Sequence, residues 1–181
     1  MSSNWAGYAV SGKSVRFRRV SASWTVPTGT CAAGERSDSV VWVGLGGLST
    51  SSQALEQTGT QLTCTGSGQA RYSAWYELVP AGSHTLRVTI LPGNRIAASV
   101  TVRGKDVRIS LRNLTRGSGV AFTRHMSAPD TASDRPPFVG ESSTGALPSS
   151  LTASGSAFSV SYGQAATSEA ATSRPLGATR R

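Results

Sequence analysis

Nine carboxylates are the only acidic side chains of this 181-residue chain, against 18 Lys and Arg. A carboxylate that reaches a water molecule can take its proton as a general base. A glutamine amide does not titrate, but its N–H can donate to a developing oxyanion. Glu56 and Gln57 are neighbours in the sequence. In a strand they point to opposite faces, so only one of them can line a given site. Gln57 is in phase with Leu55 and Gly59, and spacing alone favours a polar strand residue whose amide is satisfied by its neighbours over an amide donor in a site.

The histidines and cysteines, the other reactive residues, indicate a function less clearly. His84 and His125 have no nucleophile at a recognisable spacing, and we interpret both as surface residues. Cys31 and Cys64, the only cysteines, each lie beside a turn-like stretch. They form either a disulfide or two free thiols. Two Cys and two His at these spacings do not resemble a zinc site, so we expect no metal and no cofactor.

Asn113-Leu114-Thr115 has two interpretations. The triplet fits the pattern of an N-glycosylation acceptor. A turn at the end of a strand explains these residues equally well.

A period of two dominates the hydrophobic pattern. Apolar and polar residues alternate from Leu86 to Ile90, from Ile96 to Val102 and from Val107 to Leu111. Turn signals such as Gly104-Lys105-Asp106 separate these segments, which predicts an antiparallel meander. Earlier segments alternate in the same way, and no helical period exceeds two turns. The pattern therefore predicts an all-β fold, a sandwich or a barrel, rather than a helical domain.

Length and composition indicate one β domain over residues 1–162 and a disordered C-terminal tail over residues 163–181. No apolar run is long enough to span a membrane. The net charge of +9 and the pI near 10.8 raise nucleic acid as a partner. The arginines, however, alternate along the wet faces of the predicted strands, so nucleic acid is not favoured. We expect a monomer.

Two features of the sequence indicate the cellular location, the first residues and the composition. Met1 is followed by polar residues rather than by the apolar segment of a signal peptide. The sequence therefore predicts an intracellular protein or a mature secreted domain. The Ser/Thr/Gly-rich, lysine-poor composition favours the extracellular alternative.

Five short motifs occur in a fixed order along the first half of the chain, and Asn113-Leu114-Thr115 comes later. They are Asn4-Trp5-Ala6-Gly7-Tyr8, Ala22-Ser23-Trp24-Thr25-Val26-Pro27, Trp42-Val43-Gly44-Leu45-Gly46-Gly47, Ala54-Leu55-Glu56-Gln57-Thr58-Gly59 and Ala74-Trp75-Tyr76-Glu77. Over roughly residues 2–126 this series resembles the glutamic peptidases, or eqolisins, and in particular their bacterial relatives.

The resemblance implies a fold and an activity. The fold would be an antiparallel, concanavalin-like β-sandwich of two sheets. The activity would be that of a secreted acid endopeptidase, whose substrate is a polypeptide and whose catalytic pair is a glutamine and a glutamate. Gln57 matches the glutamine. We expect Trp42, Trp75 and Glu77 to line the substrate groove; the alternative is that these aromatic residues pack in the core.

The segment that carries the family's catalytic glutamate, Ala-Glu-Trp-Ile-Val-Glu, is altered in this chain. Aligned backward from residues 145–147, Pro137 takes the catalytic position, and aligned forward from residue 128, Arg135 takes it. Neither can be a base. A shift of one residue in register would bring Asp134 or Glu141 inward, and we predict Glu141 as the displaced base. The rival hypotheses are an inactive sandwich that binds peptide or carbohydrate in its groove, and a basic sandwich that binds anionic polymers.

Two further departures concern acids and strands. Gly46 and Gln61 stand where the family often has acids. The family also has further strands after the catalytic glutamate, whereas here only Ala157 to Tyr162 is predicted as a strand before the tail. A missing strand would expose a sheet edge and part of the core.

Overall fold

The computed structural model describes residues 6–10, 16–47, 54–117, 121–127, 137–142, 146–158 and 160–162. Within these ranges the regular secondary structure consists of β-strands, and no helix is long and apolar enough to cross a bilayer. The described residues form twelve strands: β1 Ala6–Ala9, β2 Arg19–Thr25, β3 Ser37–Gly46, β4 Leu55–Cys64, β5 Ala70–Val79, β6 His84–Leu86, β7 Arg95–Arg103, β8 Asp106–Asn113, β9 Ala121–Ser127, β10 Pro137–Ser142, β11 Ala146–Pro148 and β12 Val160–Tyr162.

The strands form two large antiparallel sheets and one small one. One large sheet has the order β1-β10-β3-β4-β5-β6, and the other has the order β2-β7-β8-β9. Strands β11 and β12 pair with each other. The predicted all-β antiparallel sandwich is confirmed. The predicted tail, residues 163–181, lies outside the described residues.

The core lies between the two large sheets because each strand turns alternate residues inward. Val43 and Leu45 from the six-stranded sheet meet Ile96, Ile109 and Leu111 from the four-stranded sheet, and each of these side chains is 0% exposed. Full burial of one such aliphatic side chain stabilises a fold by about 1.5–3 kcal/mol. The inward faces of the two sheets therefore hold the sandwich together.

Polar contacts also join the sheets. The Trp24 Nε1–H donates to Thr60 Oγ1 at 2.9 Å, from β2 to β4. Arg124 of β9 donates to the Tyr76 hydroxyl of β5 at 2.8 Å, and its guanidinium lies 5.8 Å from the centre of the Tyr76 ring. These contacts fix the position of β4 and β5 over the four-stranded sheet.

The predicted meander is confirmed for β7 and β8, which pair antiparallel from Ile96 opposite Asn113 to Arg103 opposite Asp106. The strand predicted from Leu86 to Ile90 is wrong in its extent. Its strand conformation ends at Leu86, because the chain there leaves the edge of the six-stranded sheet for the four-stranded sheet. Ile90 is nevertheless buried in the core.

Asn113 has a structural role at the end of β8. It is 1% exposed, its amide N–H groups donate to Thr89 O and Asn94 Oδ1, and its Oδ1 accepts from the Thr115 N–H. The folded chain therefore uses this amide internally, which favours the turn interpretation over a glycosylated side chain.

The disulfide, one of the two alternatives for the cysteines, is present. Cys31 and Cys64 are bonded, with their Cα atoms 5.3 Å apart and a sequence separation of 33. Cys64 is the last residue of β4, so the bond ties the loop before β3 to the end of the strand that carries Gln57.

We predict that the double variant Cys31→Ser/Cys64→Ser is less stable than the wild type by about 3–4 kcal/mol, because the bond limits the unfolded chain. Urea unfolding followed by tryptophan fluorescence measures this difference. The wild type in reducing buffer should lose a similar amount. Equal stability of variant and wild type would contradict a structural role for the bond.

Candidate active site

Gln57 lies on the outer face of the six-stranded sheet, which we define as the face turned away from the core. Antiparallel pairing sets Gln57 opposite Gly44 on β3 and opposite Glu77 on β5. Its Nε2–H donates to Glu77 Oε2 at 2.5 Å, and both side chains are half-buried. The Gln57 amide has a second N–H, and the Glu77 carboxylate has a second oxygen. The pair can therefore hold a ligand while it keeps its own hydrogen bond.

Gly44 leaves room beside this pair. A Cβ at position 44 would lie 3.1 Å from Gln57 Cβ and 3.2 Å from the Glu56 carbonyl oxygen. Those distances are tighter than ordinary van der Waals contact. A side chain at this position would therefore crowd Gln57.

An aromatic pair occupies the neighbouring row of the same face. Trp42 and Trp75 lie on either side of Gly59 and form a cluster separate from the main core, and each is 8% exposed. A Cβ at position 59 would lie 2.2 Å from the Val41 carbonyl oxygen and 2.9 Å from Trp42 Cβ. Only glycine fits there, so the backbone of β4 lies directly against β3 between the two indoles.

A polar cluster follows on the far side of the aromatic pair. Gln61 Nε2–H donates to Asp38 Oδ1 at 2.7 Å, and the Thr63 hydroxyl donates to the same oxygen at 2.5 Å. Asp38 thus supplies, from β3, a carboxylate next to the position where Gln61 replaces the acid often found in the family. Sequence reasoning missed this cluster. The alternation of β3 and β4 places Asp38 in phase with Trp42 and Gln61 in phase with Gln57, but the pairing register was needed to join them.

Glu56 points the other way. It is 1% exposed and its row partners are Leu45 on β3 and Leu78 on β5, both of which are buried. The prediction that Glu56 and Gln57 line different faces is confirmed. Gln57, not Glu56, is therefore the residue available on the outer face.

The backbone register places Glu141 away from the row of Gln57. Glu141 of β10 is paired with Val41 of β3 and with Ala6 of β1, whereas Gln57 shares its row with Gly44 and, through it, with Phe138. Val41 and Gly44 are three positions apart, an odd number, so the two rows are out of phase. The role predicted for Glu141 stays a prediction. Asp134, the other candidate, lies outside the described residues.

The two histidines are surface residues, as expected. His84 is exposed and its ring stacks on Tyr76 with centroids 5.0 Å apart, and His125 is exposed on β9. The interpretation of both as surface residues is confirmed. In the part of the chain that the structure describes, no three His, Cys, Asp or Glu side chains converge as metal ligands would.

Comparison with known proteins identifies a family whose sequences match this chain. The sequence profile of the peptidase A4 family matches residues 3–136. No curated protein matches the chain. Among solved structures, scytalido-glutamic peptidase with a transition state analog inhibitor has a TM-score of 0.63 and 27% sequence identity, over 90% of this chain and 75% of that chain.

A second crystal structure, scytalido-glutamic peptidase with a peptide-based transition state analog, has a TM-score of 0.62, 27% identity and the same coverage of both chains. SCP-B, a member of the eqolisin family solved in complex with the tripeptide Ala-Ile-His, has a TM-score of 0.58 and 25% identity, over 90% of this chain and 74% of that chain. The family predicted from the motifs is confirmed: the chain belongs to the peptidase A4 family, the family of the glutamic peptidases.

Proposed function

We propose that the protein is an acid-acting glutamic endopeptidase in which Gln57 and Glu77 carry the chemistry. The observation that supports this proposal is the hydrogen bond from the Gln57 amide to the Glu77 carboxylate on the open face of the sheet. It is a Gln/Glu pair of the kind that the family resemblance implies, with the glutamate supplied by β5. Glu77 was predicted as a substrate-binding residue; here we assign it a proton-transfer role.

The reaction needs one base, one donor and one water. The free oxygen of Glu77 takes a proton from the water, and the resulting hydroxide attacks the carbonyl carbon of the substrate. The second N–H of Gln57 donates to the oxyanion that forms on the carbonyl oxygen. The carboxylic acid then returns its proton to the amine as the C–N bond breaks. Peptide bond and water are converted to an acid and an amine, and Glu77 ends as it began.

Acid conditions suit this pair. A neutral amide keeps its donor at any pH, so Gln57 stabilises the oxyanion without a proton of its own to lose. Two carboxylates in its place would have to share a proton. In this pair the hydrogen-bond donor, the Gln57 amide, is therefore a different group from the base, the Glu77 carboxylate, and the donor does not depend on pH.

The substrate is a polypeptide laid across the aromatic pair. Trp42 and Trp75 occupy the row next to Gln57, so a chain bound at the Gln57–Glu77 pair passes over this aromatic row. The ligands bound in the related crystal structures, a tripeptide and a peptide-based analog, support a peptide substrate. The Cys31–Cys64 disulfide supports an extracellular location, since such bonds persist in oxidising compartments. We propose a monomer.

Glu141 remains the rival base. The sequence match favours it, because residues 138–141 align with the end of the family's glutamate segment. For Glu141 to work with Gln57, β10 would have to pair with β3 in a register shifted by one residue. Substitution of each glutamate separates the two proposals.

A second candidate function is an inactive member of the family that binds peptide or carbohydrate. Pro137 favours it: the residue that aligns backward with the catalytic glutamate cannot titrate, and its backbone partner is the buried Leu45. The Trp42–Gly59–Trp75 row would then serve as a binding platform only.

Gln57→Ala should lower kcat for a denatured protein substrate by about 10²–10³-fold, since an oxyanion donor is lost. Hydrolysis is measured between about pH 2 and 5, where carboxylate chemistry of this kind operates. Gln61→Ala is the matched control, because it removes an amide from the same face and strand, about 13 Å along β4. It should change kcat by less than about 3-fold. Equal losses in both variants would show that Gln57 has no special role.

Glu77→Gln keeps size and hydrogen bonding but removes the base. We expect a loss of at least about 10²-fold in kcat, with little change in the melting temperature. Glu141→Gln should retain activity within about 3-fold. The reverse result, with activity lost only in Glu141→Gln, would transfer the base to Glu141.

For the second candidate, a wild-type protein with no hydrolysis above the Gln57→Ala background would exclude the peptidase. Retention on immobilised denatured protein or polysaccharide would then be measured. A binding platform predicts retention by the wild type and loss in Trp75→Ala, while retention of both proteins, or of neither, would exclude the platform.

A further inference from the structure

Strand β2 is an edge strand whose outward hydrogen-bonding groups can be identified. In the described part of the structure β2 has one ladder partner, β7. The Arg18 carbonyl accepts from the Val102 N–H at 2.8 Å, and the Val26 N–H donates to the Asn94 carbonyl at 2.8 Å. Even-numbered residues of β2 thus bond toward β7. Because the pattern alternates in antiparallel pairs, the N–H and C=O groups of the odd-numbered residues point to the open side.

A groove of about 1370 Å³ runs along this open side. Every residue from Arg19 to Thr25 lines it. The groove touches both the inward residues Val20, Ala22 and Trp24 and the outward residues of β2, so it passes around the edge of this strand, and it continues over the outer face of β7 and β8. The opposite wall comes from Tyr8–Val10, Leu151 and residues 155–158.

That opposite wall is held in place by Tyr8. Its hydroxyl donates to the Ser149 carbonyl at 2.8 Å, and its ring packs edge-on against Phe158 with centroids 5.1 Å apart. The groove therefore lies between a separate, packed segment and a sheet edge whose outward backbone groups have no ladder partner among the described residues.

The two sides of the groove differ in chemistry. On the side of the core, β2 presents Val20, Ala22 and Trp24. On the outer side, Arg19 shares a row with Thr101 and Arg108, and Arg112 lies two rows further along the sheet. Among the described residues that line the groove, none is acidic. The groove therefore combines an apolar side, a cationic side and a row of main-chain partners.

We propose that this groove binds an extended acidic segment of another polypeptide, which adds to β2 as an antiparallel strand. Its backbone pairs with Arg19, Ser21, Ser23 and Thr25, as in other cases of strand addition to a sheet edge. Its apolar residues alternate with acidic ones. The apolar residues cover Val20, Ala22 and Trp24, and the acidic residues meet the arginines of the outer side.

Charge selects this occupant over two others. Pairing of β2 with β2 of a second copy would add the same arginines to the sheet, and each chain carries a net charge of +9. Residues 163–181 contain three arginines and one glutamate, so their charge has the same sign as that of the groove. An acidic segment supplied by a different polypeptide is complementary where these two are not.

The groove is separate from the proposed catalytic pair. Gln57 and Glu77 are on the outer face of the six-stranded sheet, whereas the groove follows the edge of the four-stranded sheet. Peptide binding should therefore be the same in Gln57→Ala as in the wild type. The two proposals can fail independently.

The test uses synthetic seven-residue peptides in fluorescence anisotropy titrations against the full chain. The probe alternates glutamate and valine, with glutamate at both ends, and should bind saturably. The lysine–valine counterpart should bind at least tenfold more weakly.

In an antiparallel pair the residues opposite Arg19, Ser21 and Ser23 are the glutamates, and their N–H groups point at β2. N-methylation of the glutamates should therefore weaken binding at least tenfold, while N-methylation of the valines should change it by less than threefold. Equal effects of both modifications would overturn the pairing.

Variants of the protein provide a second readout. Ser23→Pro removes one outward N–H and leaves the β7 ladder intact, and it should weaken binding at least tenfold. Ser23→Ala retains that N–H and should bind within twofold of the wild type.

Should Ser23→Pro not fold, the double variant Arg19→Glu/Arg108→Glu replaces it and should bind the lysine peptide better than the glutamate peptide. Wild-type affinity for the glutamate peptide in Ser23→Pro or in the charge-reversed variant would overturn the proposal. So would a wild-type dimer in sedimentation velocity that Ser23→Pro converts to monomer, since β2 would then bind a second copy.

Discussion

The hydrogen bond between Gln57 and Glu77 depends on the register of three neighbouring strands. One row of the six-stranded sheet contains Gly44, Gln57 and Glu77, and a shift of one residue in β4 would replace Gln57 with Glu56 or Thr58. The shift would also bury the amide and expose the Glu56 carboxylate. Gly59 helps to fix this register, because the β4 backbone lies so close to Val41 that no side chain fits there. The site therefore exists only while β3, β4 and β5 keep one alignment.

The four-stranded sheet supports that alignment from below. Trp24 bonds Thr60 across the core, and Arg124 bonds the hydroxyl of Tyr76, a residue adjacent to Glu77. The Cys31–Cys64 bond anchors the far end of β4. These contacts act on the inward residues of the same strands whose outward residues form the site. Side chains alternate between the two faces of each strand, so the packing of the core and the geometry of the outer face depend on each other.

Local features of the fold could be predicted from the sequence, because alternation and turn chemistry are local. The pairing of β7 and β8 follows from two alternating segments and a Gly-Lys turn, and the opposite directions of Glu56 and Gln57 follow from adjacency alone. The contacts of Gln57 with Glu77 and of Gln61 with Asp38 join residues about 20 positions apart. They depend on register, which no single segment encodes. Local alternation can also mislead. Apolar and polar residues do alternate from Leu86 to Ile90, but the chain passes from one sheet to the other within this segment, so no continuous strand forms. The position of β2 at an edge and its two-sided chemistry required the structure.

Gln57 and Glu77 should together face the reacting bond, and a crystal structure of the protein with a peptide-based transition state analog would show whether they do. We expect the analog across Trp42 and Trp75, with its tetrahedral oxygens within about 3.2 Å of Gln57 Nε2 and of the Glu77 carboxylate. An analog held by Gln57 and Glu141, with Glu77 out of contact, would contradict it.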